Sequence, residues 1–184
     1  MARDESIRRV CLIGFMGAGK TTVGKVLARR LGWLFQDLDE AVERRQGKSV
    51  AEIFAENGEA EFRRLESVAL EGLLSGNATP GSLVIALGGG AFAQPDNRRA
   101  LEKAGATTVL LEAPLPELRR RCVGDGRTRP LAEDEKQFEQ LFAARHSVYE
   151  LAQARVDTMN KAVEQVAAEI EQMVVAATKP EVKQ

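Results

Sequence analysis

Gly14, Gly19, Lys20 and Thr21 stand in the spacing Gly-x-x-x-x-Gly-Lys-Thr, within the stretch GFMGAGKTT at 14–22. Glycines at such spacing let successive backbone N–H groups turn inward and approach phosphate oxygens, and the helix that follows adds its positive N-terminus. A lysine placed like Lys20 reaches the β- and γ-phosphates, and a hydroxyl placed like that of Thr21 binds Mg²⁺. Gly17, Ala18, Gly19, Lys20, Thr21 and Thr22 are therefore the candidate ATP-binding segment, with Lys20 also a catalytic candidate. The apolar run before the motif and the helical run after it supply the strand and helix such a loop needs. A triphosphate site is the reading this motif supports.

Other residues can handle what the phosphate is transferred to. Asp37 and Asp39 close an apolar segment, WLFQDLD. At the carboxyl end of a strand, one of them could face Mg²⁺ and the other a substrate hydroxyl. Asp39 can equally be the N-cap of a helix beginning at EAVERR. Gly88, Gly89 and Gly90 follow another apolar run, where missing side chains let a ligand or a second backbone come close. That run carries no acid near its end, which favours a small-molecule kinase over a motor or regulatory ATPase. Arg63 and Arg64 would point about 100° apart on a helix, so at most one of them faces a given ligand. Arg129, in the polar stretch VGDGRTRPLAEDE, can close over phosphates, and Arg145 lies on a helix beyond it. Arginine forks grip carboxylates and phosphates at two points, so convergence of two of these would mean an anionic acceptor.

The elements that must position these groups follow from hydrophobic pattern. Runs at 10–15, 83–87 and 108–112 read as buried strands, with further strands at 33–39 and 155–158. Helical spacing covers 20–31, with Gly32 as its stop, and 59–75, where Phe62, Leu65, Val68, Ala69 and Leu73 form the apolar stripe. Ser49 and Glu52 have capping-box spacing, and Pro95 and Pro116 suit the first turns of helices. Strand and helix alternate throughout, which gives an α/β sandwich with a mainly parallel sheet. The stretch 123–135 is expected to be a mobile loop and 178–184 a disordered tail, leaving one domain over 1–177.

Composition narrows the class. Lys and Arg total 26 against 27 Asp and Glu, so charge makes no case for nucleic acid or an anionic membrane. No apolar run nears the roughly 20 residues that span a bilayer. One histidine, His146, argues against a multi-histidine metal site, and two cysteines, Cys11 and Cys122, suit a reducing cytoplasm.

Taken together, GFMGAGKTTVGKVLARRLG, FQDLDE, GKSVAEIFAENGEAEFRRLE, LGGGAF and RPL resemble the shikimate kinase family in order and spacing. The likeness runs from about residue 9 to about residue 172. It implies a three-layer P-loop kinase fold with five parallel strands and a mobile lid, acting on the small molecules ATP and shikimate as a monomer. The implied reaction is phosphoryl transfer to the 3-hydroxyl of shikimate. The resemblance also implies roles: Mg²⁺ at Thr21 with Asp37 supporting it, and Asp39 on the shikimate hydroxyls. Arg63 and Arg145 fall on the arginines that hold the shikimate carboxylate, and Gly88, Gly89 and Gly90 line that pocket. Arg129 corresponds to the lid arginine that reaches ATP, and Arg121 lies near an adenine-stacking arginine. Arg64 is left to solvent. The enzyme rivals are small kinases of gluconate or nucleotides. The rival of another class is a regulatory protein that binds ATP without transferring it.

Overall fold

The computed structural model describes residues 8–76, 81–124 and 134–176. These comprise five strands, β1 (Arg9–Ile13), β2 (Leu34–Asp37), β3 (Leu83–Ala86), β4 (Thr107–Glu112) and β5 (Ala154–Asp157). Seven helices accompany them: α1 (Lys20–Leu31), α2 (Leu38–Gln46), α3 (Val50–Leu74), α4 (Pro95–Lys103), α5 (Leu115–Gly124), α6 (Glu135–Tyr149) and α7 (Val163–Ala176).

All strand pairings are parallel and the order is β2-β3-β1-β4-β5. β1 and β3 are buried along their whole length and, apart from Arg9 at the start of β1, are apolar, as strands covered on both faces are. The chain leaves β1 towards β2 on one side and leaves β3 towards β4 on the other, so the switch in direction falls between β1 and β3. Ligands of open α/β sheets gather at the carboxyl ends of such a pair. The register makes this concrete: Leu12 lies beside Ala86 and Ala86 beside Asp37, one row across three strands. Two residues beyond that row stand Gly14, Gly88 and Asp39, on chains spaced by roughly 5 Å per strand.

Helix ends are fixed locally. Gly32, in the left-handed region at φ 67°, stops α1, and Ser49 and Glu52 form the reciprocal capping box of α3. Pro95 opens α4, and Pro116 falls in the first turn of α5. The two helical stretches expected on either side of Gly58 are joined end to end in α3, with Gly58 non-helical at φ 77°, ψ 176°. That glycine turns the chain so that the second half can carry Phe62, Glu66, Ala69, Leu70 and Leu73 into the interior. The apolar stripe expected there differs accordingly: Val68 is exposed, and Glu66 stands in the buried face instead.

Two further boundaries move. β1 ends at Ile13 because Gly14 bends away at φ 146°, so Phe15 belongs to the loop. β2 ends at Asp37 rather than 39, because Asp37 is the N-cap of α2 and accepts the backbone N–H of Asp39 at 3.0 Å. Leu38, fully buried, anchors that helical start. Of the stretch 123–135, Val123 and Gly124 end α5, and Asp134 caps α6 by accepting the N–H of Gln137. Arg129 and the tail 178–184 lie outside the described residues. No helix among the described residues is long and apolar enough to cross a membrane.

Candidate active site

The loop between β1 and α1 is held from behind. A Cβ on Gly14 would stand 2.6 Å from the carbonyl of Leu111. One on Gly17, at φ +82°, would stand 2.4 Å from the carbonyl of Leu118 and 2.9 Å from Cys122 Sγ. Glycine is thus required by close backbone approach to β4 and α5, besides the left-handed conformation. Phe15 meets Phe138 and Phe142 edge-on, at ring centroid distances of 5.0 and 5.3 Å, which ties the loop to α6. Gly19 caps α1 with no side-chain hydrogen bond, and no acid occupies the first turn. The positive helix end therefore faces the loop with no acid of its own first turn to offset it. Lys20 Nζ donates to the carbonyls of Gly14 at 2.8 Å and Phe15 at 3.1 Å, folded back over its own loop.

Beside it, Thr21 donates its hydroxyl to Asp37 Oδ2 at 2.7 Å, while Asp37 Oδ1 takes the N–H of Asp39. Hydroxyl and carboxylate together make a hard oxygen pair. Among the described residues no group of three or more His, Cys, Asp or Glu forms a metal cage. A pair of this kind suits magnesium, which keeps its own waters and shares phosphate oxygens.

Across the row, each of the three glycines after β3 lies under a charged group. A Cβ on Gly88 would be 2.7 Å from Asp39 Oδ1 and 2.7 Å from Glu66 Oε1. One on Gly89 would be 3.1 Å from Arg145 Nη1, and one on Gly90 would fall within 2.5–2.6 Å of the Arg63 guanidinium. Two acids and two arginines from α2, α3 and α6 thus converge on one short turn. Arg63 donates to Glu66 at 2.9 Å and to Glu59 at 3.1 Å, and lies over the Phe62 ring. Burial works to lower its pKa, but those carboxylates outweigh burial and raise it.

The acids are less comfortable. Burial, then the nearby Asp37, raises the pKa of half-buried Asp39, with Lys20 and Arg63 pulling the other way. Burial also raises that of Glu66, against the pull of Arg63. Glu66 is fully buried, and its Oε1 has no hydrogen-bond partner. An uncompensated buried acceptor is costly in a stable core and makes sense beside a pocket that receives a donor.

The sequence-derived candidates Lys20, Thr21, Asp37, Asp39, Arg63, Arg145 and Gly88–Gly90 all meet at this end of the sheet. Arg64 pairs with Glu61 on the surface, as expected of a solvated residue. Arg121 donates to Glu117, to Thr158 Oγ1 and to the Thr158 carbonyl, which fastens α5 to the exit of β5. Asp39 is neither a strand-end acid nor the N-cap; it sits in the first turn of α2, and Asp37 is the cap. Sequence reasoning passed over Glu66 and Tyr149. Glu66 follows Arg63 by three, the spacing of a helical ion pair, on the same face as Phe62. Tyr149 follows Arg145 by four, one turn on, and donates its hydroxyl to the Gly89 carbonyl.

The shikimate kinase family model matches residues 16–175. Curated shikimate kinases of Geobacter sulfurreducens and Persephonella marina are similar throughout. They are 46% and 38% identical over 89% of this chain, and over 88% and 97% of their own. The solved structure of the Acinetobacter baumannii shikimate kinase in complex with shikimate superimposes with a TM-score of 0.84 at 35% identity. It covers 96% of this chain and 97% of that one. A Sinorhizobium meliloti gluconokinase, 14% identical with a TM-score of 0.58, shares the fold alone.

Two outcomes follow from this geometry. Gly17→Ala drives a Cβ into backbone and should lower unfolding free energy by about 1–3 kcal/mol in denaturant titration; an unchanged midpoint would mean the loop slides off α5 freely. Asp39, with its folded-state pKa raised, stabilises the fold only below the ordinary carboxylate pKa, and that contribution is lost as pH rises through the folded value. Asp39→Asn should therefore raise the thermal midpoint near pH ~7.5 and leave it nearly unchanged near pH ~3. A midpoint lowered at neutral pH would contradict the charge strain described.

Proposed function

The chain belongs to the shikimate kinase family, and on that premise we propose how its residues divide the work of the reaction. The protein transfers the γ-phosphoryl group of ATP to the 3-hydroxyl of shikimate, giving 3-phosphoshikimate and ADP, on the route to chorismate and the aromatic amino acids. The observation that carries the assignment of roles is the convergence of Asp39, Glu66, Arg145 and Arg63 over Gly88–Gly90, beside a phosphate loop.

Residues 17–22 cradle the phosphates through their backbone N–H groups and the start of α1. Lys20 exchanges its contacts with the Gly14 and Phe15 carbonyls for phosphate oxygens. Arg63 and Arg145 hold the acceptor carboxylate in two-point contacts over Gly89 and Gly90. This leaves the hydroxyl end of the ring at Asp39, across Gly88. In the transfer, the acceptor oxygen forms a bond to the γ-phosphorus as the bond to the bridging oxygen of ADP breaks. The hydroxyl proton passes to Asp39, whose burial makes it a stronger base than an exposed aspartate. Thr21, with Asp37 acting through water, would hold Mg²⁺. Bound there with ATP, the ion neutralises phosphate charge. Arg129, outside the described residues, is assigned to ATP on the family resemblance alone, as is Arg121 to the adenine side.

We further propose that it acts as a monomer built from a single domain over 1–177. Cys11 and Cys122 are both buried cysteines, which suits a reducing cytoplasm.

Steady-state kinetics on three variants test the assignment. Lys20→Ala and Asp39→Asn should each lower kcat by about 100-fold or more. Arg63→Ala should raise the KM for shikimate by roughly 10- to 100-fold with the KM for ATP nearly unchanged. A shikimate KM within about twofold of the parent would remove Arg63 from the acceptor site.

A further inference from the structure

α6 passes the end of β3 with Arg145 and Tyr149 one turn apart on the same face. Tyr149 is 2% exposed and among the largest fully buried side chains. A buried phenol needs a partner for its O–H, and this one donates to the carbonyl of Gly89. The Arg145 guanidinium lies beside the same hydroxyl, which has spent its one proton on Gly89 and can face that cation only as an acceptor. Both groups crowd the place of the missing Gly89 side chain, Arg145 Nη1 at 3.1 Å and the Tyr149 hydroxyl at 3.9 Å.

The carbonyls of the glycine turn are otherwise engaged by its own backbone. That of Gly88 accepts from Ala91 N, and that of Gly90 from Ala93 N. Among the described residues, Gly89 alone of the three has its carbonyl held by a side chain from another element. Because the peptide is planar, fixing that carbonyl also fixes the direction of the Gly90 N–H. One hydroxyl therefore sets both the middle of the pocket floor and the arginine above it.

We infer that Tyr149 is a positioning residue for acceptor selection, locking Arg145 and the Gly89–Gly90 peptide in the one geometry that accepts a carboxylate. This rests on the reading of Arg145 as a carboxylate-holding residue. It assigns discrimination between an acceptor bearing a carboxylate and the same acceptor without one to a residue that need not touch the acceptor. A tyrosine that merely filled the core would leave that discrimination alone.

The experiment compares kcat and KM for shikimate, its carboxamide and ATP in the parent and in Tyr149→Phe, which keeps the ring and removes the hydroxyl. The KM for shikimate should rise about 3- to 10-fold, the worth of one net hydrogen bond, with the KM for ATP within about twofold. The ratio of kcat/KM for shikimate over the carboxamide should fall by a similar factor. An unchanged ratio, or both KM values rising together with a lowered unfolding midpoint, overturns the inference. If Tyr149→Phe does not fold, Gly89→Ala serves, since its Cβ presses on Arg145; there too the ratio should fall, and an unchanged ratio overturns the inference. Arg145→Ala separates the two levels. Retained discrimination in that variant sinks the reading of Arg145 itself, whereas its loss there, with a parental ratio in Tyr149→Phe, sinks only the role of Tyr149.

Discussion

Three consecutive residues without a Cβ set how near charge can come to the end of β3. Any side chain at Gly88 would strike Asp39 and Glu66, and any at Gly90 would strike the Arg63 guanidinium. With hydrogen atoms there instead, two carboxylates and two guanidinium groups share a space barely wider than the turn. Bringing these groups out of water is expensive, and mutual pairing offsets only part of it. The residue of that cost is visible in the raised pKa values of Asp39 and Glu66 and in the unpartnered Oε1 of Glu66. On the proposed reading, a pocket left under-satisfied in this way is prepared for a ligand that brings hydroxyl donors at one end and an anion at the other. Stability is given up where function needs it.

The sheet makes the arrangement possible by its order. Placing β1 between β3 and β4, with β2 outside β3, puts the phosphate loop, the glycine turn and the start of α2 on neighbouring chain ends. Donor and acceptor sites are then adjacent by register. The helices add what the strands cannot: α3, turned at Gly58, delivers Arg63 and Glu66. α6 delivers Arg145 and Tyr149, while its Phe138 and Phe142 brace Phe15 of the phosphate loop. The two halves of the site therefore share α6 as a common support.

Much of this was legible in the sequence because local rules govern it. The loop at 14–21, the apolar strands, Gly32, the Ser49–Glu52 box and Pro95 depend on neighbours within a few residues, and the structure has them where pattern puts them. Asp37 and Asp39 were legible in type but not in role. Extended and helical chain compete at that point, and the buried Leu38 decides for the helix. Glu66 escaped because an acid inside an apolar stripe reads as a break in the pattern until its arginine is placed. Tyr149 escaped because its partner is a carbonyl 60 residues away, and no local rule reports such a contact. Arg63 and Arg64 show the limit in the other direction. Periodicity says that only one can face the pocket, and only the family resemblance or the fold says which.

The central claim is that this pocket accepts shikimate, a carboxylate-bearing polyol built on a ring, beside a phosphate loop, and neither an open-chain polyol acid nor a nucleotide. The most direct test is ADP release from MgATP by the purified protein with shikimate, gluconate, AMP or no acceptor. The account predicts a large rise with shikimate alone. ADP release at equal rates with gluconate or AMP, or none above background with shikimate despite ATP binding, would contradict it.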